Sequence, residues 1–281
     1  MQGRVKKMEF NLREQALQKT MIAAHRGISG GNIPCNTLDA FDAALYQGAD
    51  MIELDVAASK DGQLFVFHPG MEPAHLGSAR LIRDMTAQEV GELGFLNQDN
   101  VPSGHKINTL DQALEHLKGR CYINIDKFWE NVEPITRAVR RHGMTGQILV
   151  KTAPNEAIFD QMERLAPELN YMLVIKERDG YSMRLRDRPL NYVGAEVLFE
   201  REDAPVASGA YIEEMHRNGL LVWANAIVYD RRAVLAAGHN DDISAIGRAD
   251  EGWGWLLDKG FDIIQTDWPL ALRLYMQKRA K

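Results

Sequence analysis

The chain has 281 residues, 45% of them hydrophobic, a formal net charge of −6 at pH 7 and two cysteines. That length buries a full core and suits one α/β barrel, while the acidic balance argues against nucleic acid or an anionic membrane as partner, because both demand basic patches against phosphate. Cys35 and Cys121 are too few and too isolated for a disulfide framework or a thiolate zinc site, which fits a cytoplasmic, reducing setting.

Residues 1–20 are charged and carry Phe10, Leu12, Ala16 and Leu17 at helical spacing, without the apolar core of a signal peptide. They read as an N-terminal helical extension, and residues 21–281 as a single domain. Eight apolar runs follow as predicted strands: 21–24, 51–56, 122–125, 148–150, 171–175, 192–198, 220–224 and 262–265. Amphipathic helices are predicted over 37–47, 110–117 and 135–141. Gly48, Gly143, Gly219 and Gly260 stand where helices should stop before a strand. Eight strands alternating with helices predict a (β/α)8 TIM barrel, with an open doubly wound sheet as the alternative. A further apolar run at 64–67 precedes an insertion at about 69–103, placed in the loop after the second strand, and 230–254 reads as a second long irregular connection on the same face. No run reaches the roughly 18–20 apolar residues of a membrane span.

In a closed barrel the C-terminal strand ends share one mouth, where chemistry collects. The first strand ends on His25 and Arg26, the second carries Glu53 and Asp55, the third ends Asn124-Ile125-Asp126-Lys127 and the fourth ends on Lys151. Glu196 on the sixth strand, and Trp223 and Asn225 on the seventh, are candidate pocket lining. Glu53 and Asp55 are two apart and share a face. Buried side by side, they need a cation between them or a basic partner for one of them. Oxygen ligands select one hard divalent ion, Mg2+ or Ca2+ with Mn2+ third, and Asp126 is a candidate third ligand. Of the eight histidines, His25 and His68 directly follow strand-like runs; the other six suit packing or surface roles. Two imidazoles near neutral pKa can serve as acid and base on one phosphorus, with Arg26 as a permanent cation for its oxygens.

Several ordered stretches carry a resemblance: His25-Arg26-Gly27, Pro34-Cys35-Asn36-Thr37-Leu38-Asp39-Ala40-Phe41, Gly48-Ala49-Asp50-Met51-Ile52-Glu53-Leu54-Asp55-Val56, Ser59-Lys60-Asp61-Gly62 and Val66-Phe67-His68. They resemble the glycerophosphodiester phosphodiesterase family, whose pattern reads H-R-G, P-E-N-T-x-x-A-F, G-A-D-x-I-E-x-D-V, T-x-D-G and V-x-H-D. Towards the C-terminus, Val222-Trp223-Ala224-Asn225 and the run from Gly260 to Pro269 are more loosely similar to its V-W-T-V-N and G-V-D-x-I-x-T-D-x-P. The resemblance implies a TIM barrel, a divalent ion at Glu53 and Asp55, acid–base catalysis by His25 and His68, phosphate binding by Arg26, and an insertion after His68 that covers the glycerol end. It also implies a place in lipid and glycerol metabolism.

Three departures stand out. Cys35 replaces an acidic residue, Pro69 replaces the aspartate after the second histidine, and Asn124-Ile125-Asp126-Lys127 replaces the family's E-x-K strand. Regular alternation points Asp126 inward as metal ligand and Lys127 outward, which leaves Lys151 as the second phosphate cation. The function expected is metal-dependent hydrolysis of a small-molecule glycerophosphodiester to an alcohol and glycerol phosphate. The rivals are a lyase that releases a cyclic phosphate and a barrel that binds phosphodiesters without turnover.

Overall fold

The structure, a computed structural model, describes residues 10–229 and 232–280. Eight strands lie at the predicted places: β1 Met21–His25, β2 Met51–Ala58, β3 Tyr122–Asp126, β4 Ile148–Thr152, β5 Asn170–Lys176, β6 Tyr192–Leu198, β7 Leu221–Asn225 and β8 Ile263–Thr266. Each pairs in parallel with its neighbours, and β1 pairs with both β2 and β8. The sheet is therefore a closed (β/α)8 TIM barrel, and the open-sheet alternative falls.

Helix Leu38–Tyr46 starts where the Thr37 hydroxyl accepts from the Ala40 N–H, and Leu110–Leu117 starts at a reciprocal cap between Thr109 and Gln112. Gly48, Gly143, Gly219 and Gly260 all have positive φ, so the predicted stops are left-handed turns. Helix Leu12–Gln18 buries Leu12 and Ala16 against Met21, Met51 and Tyr122 at the starts of barrel strands, opposite the mouth. The part of the predicted extension before residue 10 lies outside the described residues.

The loop after β2 is more ordered than a polar, Gly- and Pro-rich stretch suggests. Leu64–Val66 pairs antiparallel with the end of β2, and short helices and the hairpin Gly94–Leu96/Pro102–Lys106 follow. Phe67, Ile82, Val90 and Phe95 give this segment an apolar cluster of its own. The connection before β8 holds helix Asp241–Ala245 and a π-helical turn Asp250–Gly254; its predicted start at residue 230 lies outside the described residues. Among the described residues no helix is long and apolar enough to cross a membrane.

Strand alternation sets the two faces. Ile22, Ala24, Ile52, Leu54, Ile123 and Ile125 pack outward against the helices, whereas Met21, Ala23, Met51 and Tyr122 fill the barrel. The polar strand-end residues continue the inward set: His25 above Ala23, Glu53 and Asp55 above Met51, Asn124 and Asp126 above Tyr122. One strand breaks the alternation. The β5–β6 register slips by one residue at Gly194, where φ is +155° and a Cβ would lie 2.0 Å from the Leu221 carbonyl oxygen. The slip turns both Val193 and Glu196 inward, so Glu196 reaches the mouth.

Candidate active site

Register places the candidates side by side. His25 pairs with Glu53, Glu53 with Asn124, and Asp55 with Asp126. After β1 the chain turns through Arg26 (φ 57°) and Gly27 (φ 76°), and a Cβ on Gly27 would meet the Ala40 carbonyl at 2.7 Å. This turn brings the Arg26 N–H onto Glu53 Oε2 at 2.9 Å.

Both predicted histidines are fixed through Nδ1. His25 Nδ1 donates to Asp267 Oδ1 at 2.9 Å, and its buried Nε2 has no hydrogen-bond partner among the described residues. Asp267 is in turn held through its N–H on Asp241 Oδ2, 2.8 Å away, and Asp241 Oδ1 accepts from Trp253 and Thr266. His68 lies just past Leu64–Val66, where the Phe67 N–H donates to the Asp55 carbonyl. Its Nδ1 donates to the Pro69 carbonyl at 2.9 Å, so a main-chain oxygen does the orienting that the lost aspartate would have done. Its Nε2 stands 3.9 Å from Asp55 Oδ1. Burial alone would lower His25, but the Asp267 hydrogen bond and the Glu53 charge outweigh it and hold its pKa above the ordinary value. For His68, burial, with Arg26 and Lys127 nearby, wins over the attraction of Asp55 and lowers the pKa. The two environments thus push the imidazoles apart.

Oxygens of Glu53, Asp55 and Asp126 lie within 4.8 Å of one another. Burial and the neighbouring Asp55 push Glu53 up to about 7. Burial of Asp126 is outweighed by Lys127 and Lys151, which hold it below the usual carboxylate range. Asp55 is fully buried; Asn36 donates to its Oδ2 at 2.9 Å, and the Arg26 Nε stands 2.9 Å from the same atom as an ion pair without an aligned hydrogen bond. Asp55 Oδ1 has no hydrogen-bond partner among the described residues. Three buried or half-buried carboxylates, one with an orphan oxygen, suit a hard divalent cation, so the donor set fits the ion that the sequence implied.

Lys127 corrects the sequence reading. Alternation points it outward, but its φ of 58° ends the strand in a left-handed turn, and Nζ comes back to 2.7 Å from Asp126 Oδ2 and 4.0 Å from Asp55 Oδ1. Lys151 is buried in the mouth as expected, yet it is already paired with Glu196 and sits 4.0 Å over the Trp223 ring. Asn225 donates to Glu196 at 2.6 Å and accepts from Trp223. Lys151, Glu196, Trp223 and Asn225 therefore form one network beside the carboxylates. The Cys35 thiol is pushed up to about 11 by burial, Arg26 only partly offsetting it, which keeps it protonated.

The model of the Glycerophosphoryl diester phosphodiesterase family matches residues 25–269. The chain belongs to that family. A glycerophosphodiester phosphodiesterase from Caldanaerobacter subterraneus is 28% identical over 164 residues, 56% of this chain and 67% of that one. A glycerophosphoryl diester phosphodiesterase from Parabacteroides distasonis superposes with a TM-score of 0.75 at 15% identity, over 97% of this chain and 94% of that one. A phosphodiesterase from Oleispira antarctica, solved in complex with its product sn-glycerol-3-phosphate, gives 0.67 at 20% identity over 92% and 98%. These two likenesses show the fold, and the family makes the chain a phosphodiesterase.

Asp267, Lys127 and Asn36 received no role from the sequence. Asp267 and Asn36 lie inside family motifs (T-D-x-P and P-x-N-T), which was the available signal. Lys127 is visible only through its backbone turn.

Proposed function

We propose that this phosphodiesterase hydrolyses glycerophosphodiesters to an alcohol and glycerol phosphate, with His68 as general base, His25 as general acid and Glu53, Asp55 and Asp126 as ligands of one divalent ion, Mg2+ or Ca2+. The observation that carries the reading is the pair of imidazoles, each tied off at Nδ1, beside three clustered carboxylates. A binding protein has no physical reason to assemble both.

His68, with its lowered pKa, is neutral near pH 7 and takes a proton from the attacking water at Nε2. The new P–O bond forms as the bond to the departing alcohol breaks, and His25, held protonated by Asp267, gives its Nε2 proton to the leaving oxygen. Solvent exchange then restores both imidazoles. The bound ion would neutralise charge on the phosphoryl oxygens. Arg26 and Lys127 supply fixed cations at the same place, and Lys151, held by Glu196, supplies charge from the adjoining wall. The glycerol phosphate in the Oleispira antarctica phosphodiesterase supports glycerol phosphate as product here.

Phosphorus NMR of a reaction on glycerophosphoethanolamine tests this. The glycerol phosphate signal should grow as the diester signal falls. A cyclic phosphate as the lasting product would convert the reading to a lyase, and unchanged substrate would contradict hydrolysis of this diester.

A further inference from the structure

A cavity of about 540 Å3 opens beside the carboxylates, with Glu53 and Asp126 at one end. That size lies within the range that holds a drug-sized ligand. The far flank is apolar: Ile158, Val174, Leu198 and Leu235, with Trp129 and Tyr229 also in the lining. Both aromatic rings are exposed, at 38% and 56%. Both also touch the site, since Lys127 Nζ stands 5.2 Å from the Trp129 ring centre and Tyr229 meets the His25 ring edge-on at 5.6 Å. The cavity therefore starts where the phosphate would lie. Its third carboxylate, Glu196, is committed to Lys151 and Asn225. It does not wait for an ammonium head group.

We infer that this cavity receives a hydrocarbon chain, so that the preferred substrates are phosphodiesters in which one esterified alcohol carries a single alkyl or acyl chain. The inference rests on the phosphodiesterase reading and adds the substrate class. A small polar head leaves the apolar flank wet, whereas each methylene laid on it removes about 25–30 Å2 of apolar surface from water and tightens binding by roughly fourfold.

The chain can enter on either alcohol, and two ester series separate the cases. Glycerophosphoalkanols from methyl to octyl place it on the departing alcohol; 1-alkylglycerol phosphomethyl esters place it on the glycerol. In the wild type kcat/KM should climb by about fourfold per methylene in one series before levelling off. Two flat series would overturn the inference and leave the hydrolytic function standing. In Val174→Asn and in Ile158→Asn the octyl-to-methyl ratio should fall at least tenfold; as a ratio within one sample it is independent of how much protein has folded. An unchanged ratio in both variants would also overturn it. Should no ester be hydrolysed, the proposed function fails, and calorimetry of octyl phosphate against methyl phosphate decides the cavity by itself. At least tenfold tighter binding of the octyl compound supports it, and equal affinities refute it.

Discussion

His25 Nδ1 lies 2.9 Å from Asp267 Oδ1, and this contact fixes the tautomer and raises the imidazole pKa. Asp267→Asn keeps an acceptor but loses the charge. The alkaline limb of the rate profile should therefore move to lower pH, with kcat reduced by about tenfold. Asp267→Ala should cost more, because it frees the ring as well. Profiles identical to wild type in both variants would show that Asp267 does not position His25.

The opposite shifts of the two histidines predict a bell-shaped profile. Activity should fall on the acid side as His68 protonates, at a pH below the ordinary histidine value, and on the alkaline side as His25 loses its proton, above that value. His25→Ala should remove the alkaline limb and His68→Ala the acid limb, each at a cost of about 10² to 10⁴ in kcat. If each variant lost the other limb, the acid and base assignments would be reversed.

Lys127 sits among the carboxylates rather than outside the barrel. Lys127→Ala should lower kcat/KM by roughly 10- to 150-fold, the worth of a charge-assisted hydrogen bond. Lys151→Met should lower it too, and should also destabilise the fold by leaving Glu196 buried without its cation. A silent Lys127→Ala would restore the outward placement that strand alternation suggests.

The barrel was legible because its information is periodic: all eight apolar runs became strands, and the inward parity of His25, Glu53, Asp55 and Asp126 follows from counting in twos. Local breaks in that period were not legible. The left-handed turn at Lys127 and the slip at Gly194 each send a side chain where alternation forbids it. Partners far apart in the chain were equally hidden. Nothing near His25 names Asp267, and the loss of an acidic side chain at Pro69 concealed that a main-chain carbonyl orients His68.

Glu53 links pH to the metal. Its carboxyl, raised from 4.5 to about 7 by burial and Asp55, must shed its proton to bind a cation. Affinity for the ion should thus be about tenfold weaker at pH 6 than at pH 8. In metal-free protein the same shift favours the folded state below about pH 4.5, and that contribution fades as pH rises through about 7. The rise in Tm on adding metal should therefore be larger at pH 8 than at pH 6. Calorimetric titration at both pH values checks this, and equal affinities would show that Glu53 is not a ligand.

The carboxylate trio as a metal centre is the claim on which the mechanism stands. Metal-stripped protein should be assayed on a glycerophosphodiester in excess EDTA, and again after Mg2+ or Ca2+ is added back, for the wild type and for Asp126→Ala. The wild type should be inactive in chelator and recover with the ion, while Asp126→Ala should need about tenfold or more metal to reach half its recovery. Full turnover by the stripped wild type would contradict the account.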